Sequence, residues 1–194
     1  AHVQRQFTGT NTIVGVAGNV DPDRVVAAAQ DAFGDMSRGA ENRIAAPDFV
    51  GGSIHSRRLS GSQAHAVLGF PIPALPGEHH AFVVAAALFG EGMSSPLLDQ
   101  LRERRGLVYH ADCSTDVRDS YGQFVVEAST GPEHLREYFA EVTRLLREHV
   151  EATDTVGLER ARNQIAVRRL GAQEVPAQRL ELAALDLFAL GRVR

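Results

Sequence analysis

The chain has no tryptophan, one cysteine and two methionines in 194 residues, and aromatic side chains make up only 6% of it. The lone Cys113 excludes an intramolecular disulfide and any cysteine-based zinc site. It stands in a strand-like segment, where a thiol acts as a small packed apolar group. No run approaches the roughly 20 apolar residues of a membrane span, and residues 1–20 lack the basic start and long apolar core of a secretory signal. An excess of positive charge is also missing: a formal charge of −4 argues against a nucleic-acid surface. With 44% hydrophobic and 23% charged residues, the chain is long enough for one good core or two small ones. An Ala- and Arg-rich composition fits a bacterial source and leaves periplasm and cytoplasm equally open.

Periodicity supplies the architecture. Thr12 to Ala17 reads as a strand, followed by Asp21 as a helix cap, Pro22 at the first helical position, Val25, Val26, Ala29 and Phe33 on one face, and Gly34 as terminator. Between Ser37 and Gly52 the apolar pattern lapses, so a linker is expected there. Ser53 to Leu59 and Gln63 to Phe70 read as a strand pair around Gly61, and Pro71, Pro73 and Pro76 end the sheet before a helix from Glu78 to Leu88. Leu107 to Thr115 and Gln123 to Ser129, joined by a polar turn, predict an antiparallel hairpin. The helix from Pro132 to Val150 sets Leu135, Tyr138, Phe139, Val142, Leu145 and Leu146 on one face. Helices from Asp154 to about Ala172 and from Pro176 to Leu190 finish the chain. The grouping predicts α+β, an antiparallel or mixed sheet covered by helices.

The richest segment is Phe89 to Tyr109, FGEGMSSPLLDQLRERRGLVY. Gly90 and Gly92 give backbone freedom for a sharp entry, Ser94 or Ser95 can cap the first free N–H groups, and Pro96 suits a first helical position. Leu97, Leu98 and Leu101 form an apolar stripe. Arg104 and Arg105 complement a helix C-terminus, and Gly106 fits the left-handed residue that stops a helix. At 3.6 residues per turn, Arg102 falls one turn after Leu98, at the edge of the stripe and close to the corner that presents Tyr109.

This segment resembles the G-x-G-M-x-S-x-L-x-x-x-[LV]-R-x-x-x-G-L-x-Y pattern in the second of the two homologous halves of M16 (pitrilysin-like) zinc metallopeptidases. Asn11 to Gly39 is similar to that family's N-x-x-[LIV]-x-[LIV]-x-G-[ND]-[LIV]-[DP] strand and following helix, and the two motifs stand in the family's order. In the family the first half carries His-x-x-Glu-His, in which two His on one helical face hold zinc and the Glu activates water. This chain has no such motif: before Glu78-His79, Glu133-His134 and Glu148-His149, the place of the leading His is taken by Leu75, Thr130 and Leu145. The resemblance therefore implies the non-catalytic half of a zinc endopeptidase, one half-unit of the mitochondrial-processing-peptidase-like fold. Zinc is then expected in the partner half, on the same chain or a separate subunit, and none is expected here. The resemblance gives Arg102 and Tyr109, six residues apart, the role of the Arg and Tyr that reach across to the partner's zinc centre, hold the substrate backbone and stabilise the oxyanion. The alternative is a catalytically dead scaffold or peptide-holding subunit.

The same likeness implies a division into residues 1–40, the end of the preceding half, a linker 41–52, and the inactive-half domain 53–194. The first strand and helix are expected either to complete this chain's own sheet or to leave an open edge that pairs with another molecule, giving a homodimer. Other tempting features are read as structural. His79 and His80 would point about 100° apart on a helix, the doublets Arg57-Arg58 and Arg168-Arg169 suit solvated faces, and the GVAGNV glycines miss the spacing of a dinucleotide loop.

Overall fold

In a computed structural model of the chain, the described residues are 2–42, 45–56, 62–152 and 154–193. They divide into two compact units, Ala46–Val167 and a second made of Ala1–Ala45 with Arg168–Arg194. The fold is α+β, as the sequence predicts.

The larger unit is built on three strands, β1 (Ala64–Ile72), β2 (Val108–Val117) and β3 (Gly122–Thr130), in the order β1-β3-β2 with both pairings antiparallel. β2 and β3 form the expected hairpin, whose turn is closed by Arg118 N–H donating to the Tyr121 carbonyl at 2.8 Å. Because β1 and β2 both run antiparallel to β3, they are parallel to each other, and their connection must cross the sheet. It does so through α3 (His80–Gly90) and α4 (Pro96–Leu98).

Strict alternation makes the sheet one-sided. Along β3, Phe124, Val126, Ala128 and Thr130 are buried while Gln123 and Glu127 are exposed. The buried side meets Ala86 and Phe89 of α3, Leu97 and Leu98 of α4, and Tyr138, Val142 and Leu145 of α5 (Leu135–Glu151) in one apolar cluster. A smaller cluster joins Ala87 and Leu88 to Ala161 of α6 (Thr155–Glu174). Gly157 permits that approach, since a Cβ there would lie 2.7 Å from Leu88 Cδ1. Cys113, in β2, is buried and burial pushes its thiol far up, so it packs and does not react.

Tyr138 is fully buried, and its hydroxyl has no hydrogen-bond partner among the described residues. Burial pushes this phenol up to about 12. An unpaired buried hydroxyl costs free energy that a phenylalanine avoids. Tyr138→Phe is therefore expected to leave stability unchanged or to raise it by about 1 kcal/mol, read from the denaturant midpoint. A clear loss of stability in that variant would mean that the hydroxyl has a partner.

The second unit carries α1 (His2–Gln6), α2 (Pro22–Phe33), the end of α6 and α7 (Pro176–Leu190). Asp21 caps α2 by accepting from Asp23 N–H at 3.0 Å, with Pro22 at the first position. The apolar stripe of α2 is present but uncovered, with Val26 and Phe33 exposed. Gly15 lies against Leu180 of α7, where an added Cβ would meet a methyl at 2.8 Å.

The expected strand at Thr12 to Ala17 is not formed. Thr12 is extended (φ −125°, ψ 130°), but residues 12–17 join no ladder among the described residues. The β-branched run favours extended backbone, whereas a strand needs a second strand to take its N–H and C=O groups. The neighbouring backbone is occupied elsewhere: Gly9 and Thr10 N–H donate to the Ser37 and Arg38 carbonyls, both at 2.9 Å. Of the expected strand Ser53 to Leu59, residues 53–56 likewise join no described ladder. Residues 57–59, Gly61 and the Arg57-Arg58 doublet lie outside the described residues.

Candidate functional site

The stretch that the sequence singles out is a corner assembled by four local devices. A close approach comes first: a Cβ on Gly90 would overlap Cys113 Cβ, so glycine alone lets the end of α3 touch β2. Gly92 then turns the chain at φ +87°. Ser95, fully buried, caps α4 by accepting from Leu98 N–H at 3.3 Å, ahead of Pro96 at the first helical position. From α6, Arg160 reaches back to donate to the Ser94 carbonyl at 2.7 Å and the Leu88 carbonyl at 3.3 Å, pinning both sides of the glycine loop.

The helix that follows departs from the predicted one. After α4 the backbone widens into a π turn over Asp99–Arg104. The 3.6-residue wheel that places Arg102 one turn after Leu98 therefore does not hold beyond Leu98, because a π turn spends an extra residue per turn. Leu101 is still fully buried, and Arg102 is about half exposed, with its side chain at 45%. The turn closes with Gly106 N–H on the Arg102 carbonyl at 3.1 Å and Leu107 N–H on the Leu101 carbonyl at 2.8 Å, Gly106 taking the left-handed φ of +61°. Buried Thr130 donates its hydroxyl to the Leu107 carbonyl at 2.5 Å, tying the corner to β3.

Tyr109 is aimed by a register shift. Val108 pairs with Thr130 and His110 with Ser129, so Tyr109 is the extra residue of a β-bulge. Ordinary alternation would send Tyr109 and His110 to opposite faces; the bulge leaves both exposed between buried Val108 and Ala111. Tyr109 is 65% exposed. Among the described residues, Arg102 makes long contacts to Met93 Sδ at 3.8 Å and to Glu103 at 3.7 Å. Arg102 on the π turn and Tyr109 on the strand after Gly106 are thus both solvent-accessible.

Two charged residues tie this corner to α5: Arg105, which the sequence offers only as a helix-end cation, and Glu141, which sequence reasoning passed over. Arg105 contacts Glu141 at 3.3 Å and Glu137 at 3.0 Å, both on α5. Glu141 is buried, and the bond from Arg144, with Arg105 beside it, holds its carboxyl below the ordinary carboxylate value. A signal existed: Glu141 stands three residues after Tyr138 and one before Val142, a charge set into an apolar stripe.

His79 is buried with Nδ1 3.0 Å from the Gly77 carbonyl, and its ring lies 4.1 Å from that of His80, tilted by 49°. Half-buried His149 packs on Phe89 at 5.2 Å, and burial lowers its pKa against a weaker opposing backbone bond at Ala85. Neutral His149 in the folded state contributes fully above the unfolded value near 6.5, and that contribution is lost as pH falls below it. The thermal midpoint is therefore expected to drop between pH 7.5 and 5.5 by more in the wild type than in His149→Gln; parallel curves would exclude His149 as the cause.

No group of three or more His, Cys, Asp or Glu able to hold a metal occurs among the described residues. No helix among them is long and apolar enough to cross a membrane.

Comparison with known proteins identifies the family. The family model described as Peptidase M16 inactive domain matches residues 1–165. The chain belongs to the M16 peptidase family, as its inactive domain. A Rickettsia felis protein named "Uncharacterized zinc protease" is 28% identical over 193 residues, which cover 98% of this chain and 46% of that protein. The chain thus spans about half the length of the curated relatives it matches first. Among solved structures, the M16 inactive domain from Pseudomonas fluorescens aligns with a TM-score of 0.72 at 19% identity, over 84% of this chain and 40% of that one. A chain of complex III2 from Candida albicans, with Inz-5 bound, aligns at 0.86 and 16% identity over 100% of this chain and 48% of its own. Both are likenesses of fold, the first to a solved M16 inactive domain, and the absence of His-x-x-Glu-His in this sequence accords with the family description.

Proposed function

We propose that this chain is the substrate-holding half of an M16 zinc endopeptidase, binding an extended peptide and supplying Arg102 and Tyr109 to the zinc site of a partner half that carries His-x-x-Glu-His. The observation that carries this reading is the bulge at Tyr109. It leaves the phenol exposed on the strand that follows the turn carrying a half-exposed arginine, whose contacts among the described residues are long. A fixed guanidinium and an O–H donor suit a carbonyl oxygen that becomes negative as water attacks it. Both groups sit on backbone closed by short hydrogen bonds, so little reorganisation is needed when charge develops. On this reading the chain by itself hydrolyses nothing, and peptide hydrolysis appears only when the zinc-bearing half is present.

The rival reading is a scaffold without a part in proteolysis. A scaffold has no chemical need for an outward arginine and phenol on one corner, which favours the enzymatic reading. The division into residues 1–40, 41–52 and 53–194 belongs to the same proposal, the first segment being the end of the zinc-bearing half. The test is peptide cleavage by the assembled enzyme with Arg102→Ala and Tyr109→Phe. Unchanged kcat/KM in both variants, with the assembly intact, would favour the scaffold.

A further inference from the structure

We propose that Glu141 is a positioning residue: through Arg105 it fixes the corner that carries Arg102 and Tyr109, and so sets the aim of that pair. This rests on the reading of Arg102 and Tyr109 given above.

Glu141 lies on the buried face of α5 with its side chain only 5% exposed. A carboxylate there is costly to desolvate, and an apolar residue of similar size would pack the stripe at lower cost. Arg144 already pairs with it, with Nε 3.1 Å from one carboxylate oxygen and Nη2 2.5 Å from the other. Arg144 also bonds Glu148, so its one charge is shared and Arg105 brings the second cation to three carboxylates. Beyond charge, Arg105 adds geometry. Arg105 Nη1 meets Glu137 and Nη2 meets Glu141, two carboxylates about one helical turn apart, so the guanidinium plane is fixed at two points. Arg105 is partly exposed in both pairs, but Glu137 is open to solvent and Glu141 is buried, so the Glu141 end is less screened and is the stronger anchor.

Arg105 sits where leverage is greatest. It follows Arg102 by three residues, precedes Tyr109 by four, and directly precedes Gly106, whose left-handed φ of +61° is the pivot of the corner. Thr130 holds the strand side of that pivot at Leu107. The neighbouring cation does not share the task, since Arg104 pairs with Asp99 within its own turn. The Arg105–Glu141 bond thus links the corner to the helix layer.

The experiment uses the assembled enzyme, a quenched peptide, and hydrogen exchange followed by mass spectrometry. Glu141→Gln is expected to lower kcat about tenfold, since small misplacements of reacting groups are expensive in rate, with KM within about twofold. The same substitution in an Arg102→Ala/Tyr109→Phe background is expected to cost nothing more. Amide exchange over residues 106–110 should rise while the hairpin turn at 118–121 stays protected. Equal losses in both backgrounds, or unchanged kcat beside an impaired Arg102→Ala, would overturn the positioning role. If Arg102→Ala is itself silent, the proposed function falls. The exchange result then decides the clasp alone, faster exchange at 106–110 supporting it and unchanged exchange refuting it.

Discussion

Replacing Arg102 by alanine in the assembled enzyme is expected to reduce kcat/KM for peptide hydrolysis by roughly 100- to 1000-fold, the loss typical of one donor to a developing oxyanion. Tyr109→Phe removes a single O–H and keeps the ring, so its loss should be of the same order or smaller and should fall on kcat more than on KM. The physical basis is the rigidity of the corner. Arg102 lies within a π turn whose end is closed at 2.8 and 3.1 Å, and Tyr109 is left exposed at a bulge, so neither group has to be gathered from an unstructured loop. Arg102→Lys keeps the charge but loses the planar fork, and should recover only part of the activity. An equal fall in KM-limited and saturated rates after Tyr109→Phe would fit transition-state stabilisation; a rise in KM alone would assign the tyrosine to ground-state binding.

Phe89→Ala is expected to be the most damaging core substitution, at about 3–5 kcal/mol. Phe89 is 0% exposed at the end of α3, where the sheet, α4 and α5 meet, and its ring also supports His149. Truncation leaves a void that the neighbours cannot collapse to fill, because Gly90 already holds α3 against Cys113 at the closest approach the backbone allows. Phe139, 37% exposed on α5, is the control: Phe139→Ala removes the same ring from a half-wet site and should cost far less. Comparable midpoints for the two variants in urea would show that Phe89 is not at the centre of the core.

The division of labour between these residues is partly legible in the sequence. Local chemistry marks the Phe89–Tyr109 corner well: Ser95 caps, Pro96 starts the helix, and Gly106 stops it at a positive φ. What is not legible follows from pairing and from packing. The run at Thr12 to Ala17 has strand composition and no described strand partner, and a ladder is a property of two segments. The bulge at Tyr109 exists only because β2 and β3 align with one residue to spare. Glu141 breaks an apolar stripe visibly, yet its meaning depends on an arginine 36 positions earlier that only folding brings to it.

By itself, the sequence determined the α+β class, the helix limits at Pro22, Pro96 and Pro176, the β2–β3 hairpin, the lack of a zinc-binding motif and the Arg102–Tyr109 spacing. All of these depend on nearest-neighbour chemistry or on residues present or absent along the chain. Tertiary structure decided the exposure of Tyr109 at its bulge, the widening of the helix at Arg102, the lack of a described strand partner for the first apolar run and the anchoring of the corner on Glu141. These are set by contacts between segments far apart in sequence. Local composition constrains such contacts weakly, because the energy of each belongs to both partners and to the space between them.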